Sequence, residues 1–221
     1  MARKPVPVAL EVGRRRVFAS ALDWPGWSRS GKGEEAALAA LADYAERYAP
    51  VAELAGHPLP SDVGTALAAV ERLPGSATTD FGAPDAVAAA ERADLTKAAA
   101  ERAASLVAAA WETLDRVAAG APAELRKGPR GGGRDRDKVV AHVIAAEASY
   151  ARKIGVRMKA PEPTDSAAVA ELRAAILDAL RAARSGDPVE VKGWPPRYAA
   201  RRIAWHVLDH AWEIEDRSEP A

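Results

Sequence analysis

Short runs of valine, leucine and phenylalanine at the front of the chain give way to long stretches in which apolar residues recur at helical spacing. "PVPVALEV" (residues 5–12) and "RRVFASAL" (residues 15–22) have strand length and composition, and Gly13 with Arg14 between them makes a tight turn. The pattern predicts a β-hairpin. "DWPGWSRSGKG" (residues 23–33), dense in Gly, Pro and Ser, reads as a loop. "EEAALAALADYAERYAPVAELAG" then shows helical periodicity, with acidic residues at its start, Gly56 as a stop and Pro50 dividing it into two pieces. "HPLPSDVG" is loop, a helical piece is expected around residues 65–70, and residues 73–85 form a second loop-rich stretch. A domain boundary is placed there.

From residue 85 onward the pattern is helical. A first helix is expected over residues 86–119, ending at Gly120, and "PRGGGRDRD" separates it from a second over residues 138–154. "APEPTD" leads into a third over residues 166–184, closed by Gly186. The fourth spans residues 197–217, with Pro195 and Pro196 near its N-terminus, where proline is tolerated. The expected fold is mainly α: a small α+β domain with a β-hairpin over residues 1–84, then a four-helix bundle over residues 85–221. No internal repeat is evident.

Composition narrows the function classes. The chain has 221 residues, and its 31 basic and 31 acidic side chains give a formal net charge of zero. A nucleic-acid binder usually needs a basic surplus, so none is expected as partner. With no cysteine, disulfides, thiolate ligands and a cysteine nucleophile are excluded, and a reducing cytoplasm is the expected home. The start of the chain is basic and interrupted by prolines, without a signal-peptide cleavage pattern. No stretch approaches the roughly 18 apolar residues of a membrane span.

The candidate chemistry lies in four histidines, His57, His142, His206 and His210. In "WHVLDHAWEIED", His206 and His210 are four apart, rotated only about 40° from each other on a helix. Such a pair can hold a metal ion or merely share a face, and two ligands seldom make a tight site. His142, in "KVVAHVIAAEASY", is the candidate third ligand, because its neighbours Val139, Val140, Val143 and Ile144 put it on an apolar face. His57 sits in the Pro-rich loop and is the poorer choice. A lone apolar-face histidine also fits a hydrogen-bonded core residue. Three imidazoles buried without an ion, however, would leave several nitrogens wanting partners.

"DKVVAHVIAAEASYARKIG", followed after a third helix by "ARRIAWHVLDHAWEIEDR", resembles the DinB-like (YfiT/DinB) four-helix-bundle superfamily over about residues 90–217. The resemblance implies a divalent metal held by His142, His206 and His210. Zinc or nickel is the leading expectation, with iron open. The family includes actinobacterial mycothiol-dependent enzymes and bacillithiol transferases, so the resemblance implies a low-molecular-weight thiol as partner and an S-transferase activity. Three nitrogen ligands leave a coordination position free, where a cation lowers the pKa of a bound thiol. The same position would turn water into hydroxide, and a metal-dependent hydrolase stays open. No catalytic residue is assigned. Asp209, Glu213 and Glu147 could each orient a ligand histidine, Glu213 being the best placed, or could be ordinary surface charges. Trp194, Tyr198, Trp205 and Trp212 are expected mainly in the core. "RKGPRGGGRDRDK" (residues 126–138) reads as a solvated connector, with Arg126 or Arg130 the minority candidates for attracting an anionic thiol.

"VFASALDWPGWSRSGKGEEAALAAL" is similar to the HicB-like module, with Asp23, Pro25, Gly26, Gly31, Glu35 and Ala36 at the matching places. That resemblance implies an interaction role. A toxin-type partner, a homodimer contact or a lid over the helices all remain open, as does a non-catalytic protein in which the helices are a scaffold.

Overall fold

The computed structural model describes residues 5–60, 63–128 and 132–218. It is mainly α with a small α+β part. The expected hairpin is present: β1 (Val6–Val12) pairs antiparallel with β2 (Val17–Ala21). β3 (Ser28–Gly31) follows, then α1 (Glu34–Asp43), α2 (Ala45–Leu54) and β4 (Leu67–Pro74), which pairs parallel with β1 through the crossover that those two helices make. The sheet order is β3-β2-β1-β4.

The two outer strands correct the sequence reading. β3 lies in the segment expected to be loop, and β4 replaces the helical piece expected around residues 65–70. Ala, Leu, Glu and Arg in "LAAVERLP" favour a helix locally, but the exposed edge of β1 offers a full ladder of backbone partners, and long-range pairing overrides propensity. The register slips by one between Ala69 and Glu71, so Val70 has no partner in the ladder, and it is 59% exposed. The break between the first two helices falls at Tyr44, and Pro50 lies inside α2.

Side chains alternate across β2. Phe18 meets the Trp205 ring edge-on at 5.9 Å on one face, while α1 covers the other. The turn before β3 approaches the last helix so closely that a Cβ on Gly26 would lie 2.7 Å from Leu208 and 3.1 Å from Ala204; its φ of 96° also suits glycine alone.

A short helix, α3 (Ala77–Phe81), capped by Ser76, occupies part of the second expected loop. The first long helix, α4 (Lys97–Gly120), starts eleven positions later than expected, because Thr96 caps it by accepting from the Ala99 N–H at 3.1 Å. Residues 86–96 instead hold a single 3-10 turn at Ala89–Arg92. α5 (Arg136–Lys153), α6 (Ser166–Ala182) and α7 (Pro196–Ser218) lie close to their expected positions. α4 packs on α6 and α7, and α5 packs on α7 and α6. One apolar core runs from β1 and β2 through α4 to α7. Among the described residues, no helix is long and apolar enough to cross a membrane.

Candidate metal centre

Every fourth residue of α7 from Tyr198 onward (Tyr198, Arg202, His206, His210) falls on one slowly turning stripe. The apolar face of α5 packs beside it and brings in His142. The Nε2 atoms of His142 and His206 are 3.3 Å apart. Ring centroids are separated by 5.2 Å for that pair, 5.0 Å for His142 and His210, and 4.7 Å for His206 and His210. One nitrogen from each ring lies within 4.8 Å of the others. His57, in the loop after α2, is outside this group.

Protonation follows from burial. His206 is 8% exposed, and burial, reinforced by the positive surroundings of His210 and Arg202, drives its pKa down to about 2. Burial also lowers His142, with His210 and Arg134 acting the same way and Glu213 against them. Both rings are neutral at pH 7 and retain a lone pair. Glu213 fixes the third ring: His210 Nδ1 lies 2.8 Å from its Oε2, and Arg217 Nη1 donates to Oε1 at 2.7 Å. The His210 hydrogen bond is the main reason the Glu213 carboxyl lies below the usual carboxylate range. An anionic carboxylate there accepts a hydrogen bond from Nδ1–H, which favours the tautomer with its lone pair on Nε2 of His210.

The donors fit a divalent cation. Two nitrogens bound to one tetrahedral ion at about 2.0–2.1 Å lie about 3.4 Å apart, which matches the His142–His206 separation. Without an ion, one proton must sit between those two atoms. His206 Nδ1 has no partner among the described residues, so the cluster is not satisfied by protein groups alone.

Of the expected supporting carboxylates, only Glu213 serves a histidine. Glu147 is buried, but it accepts from Arg173 Nε and Nη2, both at 3.2 Å, and Arg173 also holds Asp115 on α4. Five residues on a helix rotate Glu147 about 140° away from His142, which aims it at α6 instead. Asp209 pairs with Arg29 of β3 at 3.2 Å, so it faces the sheet rather than a neighbouring helix.

Tyr198, Trp205 and Trp212 are buried as expected. Trp194 is half-buried, its ring centroid 5.0 Å from that of Tyr150, whose own centroid lies 5.6 Å from that of His206. Arg126 donates to the Asp216 carbonyl at 2.7 Å and lines a cleft of about 560 Å3 shared with Lys127, Glu213 and Arg217. Arg130, the other candidate in that connector, lies outside the described residues. Sequence reasoning passed over Tyr150 and Arg202, although Arg202 stands four residues before His206 and so shares its face. The chain matches no family model, and no curated protein and no solved structure proved similar to it.

Proposed function

We propose that this chain is a DinB-like protein in which helices α4 to α7 form a four-helix bundle. On this reading His142, His206 and His210 hold one divalent cation, zinc or nickel first among the choices that imidazole ligands allow. The observation that carries the reading is the pair of Nε2 atoms 3.3 Å apart on two neutral rings, with His210 close by and its tautomer fixed by Glu213. An ion held there keeps a coordination position for a small molecule. Such an ion would lower the pKa of a low-molecular-weight thiol and favour its nucleophilic thiolate form at neutral pH, which makes thiol S-transfer the activity proposed for the site. The chain itself contains no cysteine to occupy that position. The HicB-like N-terminal segment supplies no nucleophile, and its sheet braces α7 from behind.

The test is metal content followed by a thiol-panel transferase assay. Purified protein is expected to carry about one divalent ion per chain, and His142→Ala or His206→Ala should lose it while remaining folded. Full-length protein that is folded, metal-free and refuses added zinc or nickel would leave only the scaffold reading.

A further inference from the structure

Two consecutive arginines on α7, Arg201 and Arg202, are the buried arginines of the described residues. Arg201 is fully provided for: Glu91 accepts from it at 2.6 and 3.0 Å and the Ala86 carbonyl at 2.8 Å. Arg202 is 9% exposed and makes no hydrogen bond and no ion pair among the described residues, and its Nη1 is enclosed without an acceptor. Its guanidinium stands over two rings, 4.7 Å from Trp205 and 5.5 Å from Tyr150. Aromatic faces ease the burial of a cation. They do not accept its in-plane N–H donors, which two oxygens of a carboxylate or phosphate match.

The position of this unanswered charge is informative. Arg202 precedes His206 by one helical turn on the same face, and Tyr150 touches both, its ring 5.6 Å from His206. His142, His210, Tyr150 and Trp194 around them are only half-buried, so the cluster is approachable from that side.

We propose that Arg202 is the receptor for a small oxyanion, a carboxylate or phosphate group carried by the molecule that occupies the three-histidine centre. The substrate class is therefore anionic: one end enters the position beside His206, and its charged group pairs with the guanidinium one turn away. This deepens the metal-centre reading and rests on it for the first of these two contacts, whereas the oxyanion contact rests on Arg202 alone.

The experiment uses the whole chain, metal-free and loaded with Co2+, as wild type, Arg202→Met and Arg202→Lys. Formate, acetate and inorganic phosphate are titrated at constant ionic strength against chloride. The metal-free wild type should gain thermal midpoint saturably with one of the two oxyanion types, and Arg202→Met should lose that gain. Whether the carboxylates or phosphate act at lower concentration identifies the charged group. In the Co2+ protein, the same anion should shift the visible bands at concentrations at least tenfold lower in wild type than in Arg202→Met. An equal response in wild type and Arg202→Met, or no saturable response in wild type, overturns the proposal. If Arg202→Met does not fold, the 15N resonance of the Arg202 side chain, assigned with Arg202→Lys, decides: it moves saturably with the oxyanion or the proposal fails. Failure to take up Co2+ overturns the metal reading instead, and the metal-free arm still decides the role of Arg202.

Discussion

Arg201 and Arg202 are separated by one residue step on α7, a turn of about 100°, and that step divides two kinds of buried polar cluster. Arg201 enters the seam between the helices and the sheet, where the Glu91 carboxylate and the Ala86 carbonyl surround it. Arg202 enters the face shared with His206, His210 and His142, where its enclosed Nη1 has no acceptor among the described residues and His206 Nδ1 has no partner among them either. Buried polar groups that are fully partnered hold elements in place. Groups that folding has dehydrated without partnering are costly unless something outside the chain completes them. The first cluster is architecture, and the second is the candidate for a site.

The sharpest way to break this contrast is to open the closed cluster. Glu91→Ala leaves Arg201 buried without its counter-charge, and such a loss costs about 3–5 kcal/mol. Urea denaturation should show a deficit of that size, while metal content per folded chain stays as in wild type. A deficit under about 1 kcal/mol would mean that the Arg201 cluster is no more structural than its neighbour.

Acid probes the open cluster next. His206 has a folded pKa of about 2 against an ordinary 6.5, so the unfolded chain takes up the proton first. The stability associated with neutral His206 is therefore complete above pH 6.5 and is lost as pH falls toward 2. In metal-free protein that loss runs at about 1.4 kcal/mol per pH unit, or about 2 kcal/mol between pH 6.5 and 5. His142, lowered by burial as well, adds in the same direction. His206→Gln should flatten the slope of stability against pH over this window. Parallel curves for the two proteins would show that the ring is not held neutral by the fold.

The last three helices were legible because each is a long run with apolar residues at helical spacing, bounded by local signals such as the Asp165 cap of α6 and the two prolines that open α7. β3 was not, since "SRSG" contains no branched or aromatic residue, and β4 was not, since helix-forming residues there follow a pairing that β1 dictates from sixty positions away. At the site, a spacing of four placed His206 and His210 together, but nothing local shows that α5 lies against α7 and brings His142 to them. The isolation of Arg202 is less legible still. A missing partner is a property of everything packed around the group, so it emerges only when all the elements are in place.

Two carboxylates one turn apart on α7 give the finest test of the division between architecture and site. Glu213 accepts from His210 Nδ1 and belongs to the open cluster, whereas Asp209, directly before His210 in the chain, turns to Arg29 of β3. Removing the partner that orients a ligand histidine typically weakens metal binding about 10- to 100-fold, and Glu213→Gln should do so with little change in unfolding free energy. Asp209→Asn should behave oppositely: metal affinity is unchanged, and stability falls by at most about 1 kcal/mol, because the Asp209 side chain is 40% exposed and solvent screens the pair. Competitive titration with a chromophoric chelator measures the first quantity and urea denaturation the second. Metal affinity lost equally in both variants would place Asp209 inside the site and erase the boundary that one turn of helix draws here.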